Sequence, residues 1–298
     1  MPKKDSATVT VTAPLPVRLR MASLEKVSPQ RAAVVAEKLW YKVPAPSSPG
    51  RLQRFTPAGG EPFFLMSGQS EVQGASYGPV DGPVALLVHG WGGYWQQLAS
   101  HIPALVEAGY RVVAYDAPSH GRSTHGAHGF GSGSVLEMTE AIDAVVGEFG
   151  RPSLVLAHSI GAMAALRDAR RRPMAEAYIF FAPQIRLEPA LTWFEQVVGM
   201  GPRTRELFLE RVTSNAGVVP DDFDMVADVT RRAEKGPLPK LLVVHDEQDP
   251  DAPFSQARVL ADAWPSAELM ATQGLGHRKV IWHKEVVKKV ADFIQPTH

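Results

Sequence analysis

Five continuous apolar runs of strand length dominate the chain from residue 84 onward: Val84–Val88, Tyr110–Tyr115, Ser153–Ala157, Tyr178–Phe181 and Leu241–Val244. A strand with one wet face alternates polar and apolar residues, so an uninterrupted apolar run must be covered on both faces. Amphipathic segments of helix length, such as Ser134–Phe149 and Gly161–Arg172, lie between the runs. This alternation predicts an α/β fold, a mostly parallel central sheet flanked by helices. The 298 residues are enough to bury a sizeable core.

Two stretches depart from the alternation. The first 80 residues are Pro-rich and irregular; within them Ser28-Pro29 followed by Arg31–Leu39 reads as a capped helix stopped by Pro44 and Pro46. Arg51–Thr56 and Pro62–Met66 read as short edge strands. The interval 184–239 has helical stretches and no convincing buried strand, and it is expected to be a small helical cap inserted over the sheet edge. Ordinary crossover helices are the alternative, disfavoured by the length of the segment. The expected organisation is thus an N-terminal segment over 1–80 packed on the core, a core over 81–183 and 240–298, and a cap over 184–239.

The chemistry is expected at the strand ends. In Leu156-Ala157-His158-Ser159-Ile160-Gly161 a serine sits between a buried strand and a helix that opens with small residues. A nucleophile held there occupies a sharp turn, and its neighbours two residues away must be small for strand and helix to approach. Ala157 stands where the strict G-x-S-x-G pattern has glycine. By itself Ser159 is equally a helix N-cap. The tie is broken by an acid and a histidine that follow in the order this kind of turn requires.

The acid loop, His245 to Pro253, carries four carboxylates. Asp249 is selected because it lies a few residues past the strand end, where it can turn towards a histidine. Asp246 is closer to the strand and is read as shaping the turn, Asp251 as facing solvent or capping the next helix. The base is His277, in Gly274-Leu275-Gly276-His277 after an expected strand Leu269–Thr272 and before a helix Glu285–Ile294.

With His89-Gly90-Trp91-Gly92-Gly93 after the first long strand and Asp116-Ala117-Pro118-Ser119-His120-Gly121-Arg122-Ser123 after the next, these motifs resemble an α/β-hydrolase-fold serine hydrolase, esterase- and lipase-like, with a helical cap. The resemblance runs from Val84 to Phe293. It implies that Ser159 attacks a carbonyl carbon, that His277 takes and returns the proton, and that Asp249 orients the imidazolium. It implies an oxyanion hole from the backbone N–H groups of Trp91 and Ile160, with His89 ordering that loop. His89, Trp95, Trp193 and Phe194 are candidates for the substrate pocket, although packing is the expected role of most cap side chains, Met200, Phe208, Phe223 and Met225 among them. The implied activity is cleavage of carboxylic esters through an acyl-enzyme, without a cofactor. Alternatives are lactone, thioester or carbon–carbon cleavage or perhydrolysis by the same triad, and a non-enzymatic ligand-binding protein on the same fold.

Several classes are excluded on composition. Equal numbers of basic and acidic side chains, 31 each, and no basic cluster longer than Arg170–Arg172 argue against a nucleic-acid partner. The chain has no cysteine, which removes disulfides, thiolate metal sites and a cysteine nucleophile. No stretch approaches the roughly 18 apolar residues of a membrane span. Met1–Thr12 lacks a signal-peptide core, so a cytoplasmic protein is expected, and the resemblance implies a small-molecule ester as its partner. His120, His125 and His128 lie in a glycine-rich segment that cannot hold metal ligands rigidly, so no metal is expected. Gly90-Trp91-Gly92-Gly93 has Trp95 where a dinucleotide fingerprint needs glycine, and no P-loop pattern occurs.

Overall fold

The computed structural model describes residues 13–45 and 55–295. Contacts divide the chain into two compact units, Met1–Tyr41 with Leu187–Asp222, and Lys42–Arg186 with Phe223–His298. The first is helical: α1 (Leu15–Val27), α2 (Pro29–Trp40), α6 (Glu188–Val198) and α7 (Pro202–Ala216). The second contains an eight-stranded sheet and the other helices. In chain order these are β1 (Glu61–Ser67), β2 (Ser70–Tyr77), β3 (Val84–Val88), a 3-10 turn over Trp95–His101, α3 (Ile102–Glu107), β4 (Arg111–Tyr115), α4 (Val135–Phe149), β5 (Pro152–His158), α5 (Ile160–Asp168) and β6 (Ala177–Phe181). After the excursion into the helical unit come α8 (Met225–Ala233), β7 (Lys240–Asp246), α9 (Phe254–Ala263), β8 (Ala267–Thr272), α10 (Gly276–Lys279) and α11 (Lys284–Ile294).

The strand order is β1-β2-β4-β3-β5-β6-β7-β8. β1, β2 and β4 pair antiparallel; every pairing from β4 through β3 to β8 is parallel. The five apolar runs are β3 to β7, and all five residues of β3 are buried, as double coverage requires. The expected strand at Pro62–Met66 is β1, at the sheet edge. That expected at Arg51–Thr56 falls largely outside the described residues.

Within the helical unit, Ser28 caps α2 by accepting the Arg31 N–H, with Pro29 in the first position. Ala32, Ala33 and Ala36 are fully buried, and small side chains here let α2 lie close against α7. Trp40 packs edge-on against Phe194 and Phe208, ring centroids 5.3 and 6.1 Å apart. The Glu37 carboxylate accepts from Arg211 at 2.6 and 2.8 Å and from Asn215.

The unit boundaries differ from the expected ones in two places. The segment 1–80 is not one body: α1 and α2 group with α6 and α7, whereas β1 and β2 extend the sheet. The excursion from the sheet unit covers Leu187–Asp222 rather than 184–239, because α8 packs on α5 and α9, and the Met225 N–H donates to the Ile185 carbonyl at 3.0 Å.

Candidate active site

Strand β5 ends at His158 and α5 begins at Ile160, leaving Ser159 alone in the turn with φ 54° and ψ −125°. A non-glycine residue at positive φ is strained by about 1–3 kcal/mol and persists only when its surroundings hold it there. They do: the Ser159 N–H donates to the Phe181 carbonyl at 2.9 Å, and its carbonyl accepts from Ala162 at 3.1 Å. Close packing completes the turn. A Cβ on Gly161 would come within 2.4 Å of the His89 carbonyl oxygen, whereas the extra methyl of Ala157 is accommodated in full burial. The Ser159 hydroxyl makes no helix-capping bond. It lies 2.9 Å from Nε2 of His277.

His277 sits in α10, just past β8, and its Nδ1 is 2.7 Å from Oδ2 of Asp249. A carboxylate only accepts, so Nδ1 carries the proton and Nε2 is left to accept from the serine hydroxyl. The Asp249 side chain is fully buried. Its Oδ1 accepts the N–H groups of Asp251 and Ala252 at 2.8 and 2.9 Å. His245 Nε2–H donates to the Ala252 carbonyl at 3.0 Å and stands 3.3 Å from Oδ2. Burial pushes the Asp249 carboxyl up, but the bonds from His245 and His277, the charge of His277 and the Ala252 N–H outweigh it and hold the group well below the usual carboxylate range.

Asp251 is exposed and Asp246 fully buried. Asp246 ties the two loops together: Oδ1 accepts from the Gln248 N–H at 3.1 Å, and Oδ2 from the Thr272 hydroxyl and the Leu275 N–H at 2.8 and 2.9 Å. Burial alone would raise this carboxyl; the bonds from Leu275, Thr272, Gln248 and Gly276 more than compensate and lower it. Among the described residues the one close grouping of three side chains able to ligate a metal is Asp249, Asp251 and His277. Two of these are already engaged with each other. His120, His125 and His128 form no such group.

The loop after β3 lies beside the serine. His89 is buried, accepts the Ala117 N–H on Nε2 at 2.9 Å and therefore donates from Nδ1 to the Gly90 carbonyl at 2.7 Å. Burial and the neighbouring His120 lower its pKa to about 3, so the ring is neutral, and its two bonds brace the loop. Asp116 braces the same region by accepting the N–H groups of Trp95 and Arg122 at 2.8 and 2.9 Å; its burial pushes it up to about 7. Neither the Trp91 nor the Ile160 N–H donates to a protein acceptor among the described residues.

Two of the other pocket candidates are packed against neighbouring rings. Trp95 is buried in the hydrophobic core, its ring tilted against Tyr77 at 6.1 Å. Phe194 is buried against Trp40 and Phe208 inside the helical unit, because an apolar helix face must first be covered by its neighbours. Trp193, one position away on the same helix, is 52% exposed. His158, to which the sequence reading gave no role in the site, has its Nε2 2.9 Å from the backbone carbonyl of His277.

Residues 85–293 match the model of the alpha/beta hydrolase family. The chain belongs to that family. Its relatives include the magnesium-chelatase 30 kDa subunit of Rhodobacter capsulatus, 34% identical over 41% of this chain and 40% of that protein. Another is the pimeloyl-[acyl-carrier protein] methyl ester esterase of Methylococcus capsulatus, 31% identical over 40% and 45%. The matched stretch spans less than half the length of each. Among solved structures, bromoperoxidase from Bacillus anthracis is similar with a TM-score of 0.59 and 18% identity, over 78% of this chain and 99% of that one. The thioesterase domain from the curacin biosynthetic pathway gives 0.56 and 19%, over 79% and 99%. At such identities these likenesses speak for the fold alone.

Proposed function

We propose that this alpha/beta hydrolase cleaves carboxylic esters through an acyl-enzyme on Ser159. The observation that carries the reading is the line of hydrogen bonds from Ser159 Oγ through His277 to Asp249, 2.9 and 2.7 Å, built on a strained strand-to-helix turn. Nε2 of His277 takes the hydroxyl proton as Oγ attacks the carbonyl carbon, and the buried Asp249 carboxylate stabilises the imidazolium. The Trp91 and Ile160 N–H groups supply the donors for the oxyanion. Collapse expels the alkoxide, which takes the proton from Nε2; a water activated by the same nitrogen then releases the acid. The methyl ester esterase among the relatives supports the ester class.

The test is covalent labelling with a fluorophosphonate, combined with turnover of p-nitrophenyl acetate and butyrate. Stoichiometric labelling that disappears in Ser159→Ala, with turnover in the parent chain, is the expected result. Labelling that survives in Ser159→Ala overturns the nucleophile assignment, and labelling without turnover on a broad acyl panel makes the chain a binding protein.

A further inference from the structure

We infer that His158 is a positioning residue for the general base, a neutral histidine that holds His277 by its main chain. The inference rests on the triad reading above and adds a residue to it. His158 ends β5, directly before the nucleophile, and is 5% exposed. Its Nε2 faces the His277 carbonyl oxygen at 2.9 Å, and a carbonyl only accepts, so Nε2 carries the hydrogen. The two rings are in contact, centroids 4.8 Å apart.

The opposite nitrogen, Nδ1, is buried with no hydrogen-bond partner among the described residues. It is packed against the loop that carries the Trp91 N–H: a Cβ on Gly90 would lie 2.7 Å from Nδ1 and 3.0 Å from the Ser159 Cβ. One ring therefore touches the oxyanion loop, adjoins the nucleophile and bonds the backbone of the base. These are the three parts whose relative placement sets the Oγ to Nε2 distance. His158 also has to stay neutral, since a charge there would oppose the imidazolium that His277 becomes. Burial, then the charge of His277, holds its pKa well below the ordinary histidine value; the bond to the His277 carbonyl and the charge of Asp249 pull it up, and Arg278 pushes it down.

A side chain that only fills space and one that donates a hydrogen bond make opposite demands on substitution. His158→Gln keeps an N–H donor and loses the ring. His158→Met has similar length without a donor, and His158→Phe keeps a ring without one. If the donor is what matters, Gln stays within about threefold of the parent in kcat. Met and Phe should fall by 10- to 100-fold with KM changed less than threefold, the scale expected when a reacting group shifts by about 1 Å.

Fluorophosphonate labelling rates should follow kcat, and melting curves show that each chain is folded. If Phe does not fold, Gln against Met decides alone. Met or Phe as active as Gln, or a loss confined to KM, overturns the proposal. The triad is checked beside it with Ser159→Ala: retained labelling there defeats the triad itself, whereas lost labelling with Met equal to Gln defeats only the role of His158.

Discussion

At Ser159 the backbone conformation and the chemistry make separate demands, and two inactive variants separate them. Ser159→Ala keeps the strain of φ 54°, whereas glycine reaches that conformation without a steric penalty. Glycine gives back part of the gain through the unfolded chain, roughly 0.5–1 kcal/mol. Ser159→Gly is therefore expected to melt higher than Ser159→Ala; a melting temperature equal or lower would show that the elbow is unstrained. The carboxylates separate in the same way. Asp249→Asn should lower kcat by about 10⁴-fold, as loss of the orienting acid does in such triads, with the fold intact. Asp246→Asn puts an amide NH₂ among groups that already donate to it, so its main effect should be on stability, about 1–3 kcal/mol by denaturant titration. A larger kcat loss in Asp246→Asn than in Asp249→Asn would exchange the two roles.

The elements are held at the site by close approach. Gly161, in the first turn of α5, lies against the β3 exit, and the contact its Cβ would make is with a backbone oxygen, which cannot swing aside as a flexible side chain could. Gly161→Ala should destabilise by about 1–3 kcal/mol and slow probe labelling, since the helix that follows the nucleophile must move. In the helical unit the argument runs through cavities. Phe208 is fully buried beside Trp40 and Phe194, and Phe208→Ala should cost about 3–5 kcal/mol where that unit melts. Phe194→Leu should lower the melting temperature and leave the acyl-length preference unchanged; a shift in that preference would return Phe194 to the pocket.

Across the whole molecule, buried titrating groups give stability a definite pH dependence. Burial lowers His89 to about 3 and His101 and His120 to about 4, and lowers His158 as well. In the unfolded chain such groups titrate near 6.5, so between about pH 4 and 6.5 the unfolded state binds more protons at these four positions. Their contribution is complete above pH 6.5 and is lost as the pH falls. Asp116, raised to about 7, and Asp168, raised to about 6, act in the opposite sense over part of the same window. Four histidines against two carboxyls leave a net loss of stability on acidification from pH 6.5 to 4.5. His101 donates to the Ile281 carbonyl at 2.8 Å and stacks on Phe181. His101→Gln keeps a donor without titrating, so it should flatten the slope by about one proton, ~1.4 kcal/mol per pH unit. Melts at three pH values with an unchanged slope would show that His101 is already protonated in the native state.

What the sequence determined by itself was local in origin. Uninterrupted apolar runs can only be doubly covered strands, so β3 to β7 and the α/β class were legible, as was Ser28-Pro29 opening α2. The order of Ser159, Asp249 and His277 along the chain was enough to propose all three as candidates, because each lies just past the end of a strand. Tertiary structure decided the rest. β2 reads Ser-Glu-Val-Gln-Gly-Ala-Ser-Tyr, with little apolar signal, and is a strand because β1 and β4 satisfy its backbone on both sides. Whether the Ser159 hydroxyl capped a helix or met a histidine depended on a residue 118 positions away. That α1 and α2 group with helices inserted far along the chain, that Phe194 is spent on packing, and that His158 bonds the His277 carbonyl follow from long-range contacts. No local pattern encodes such contacts, since the free energy that selects them arises only when distant segments exclude water together.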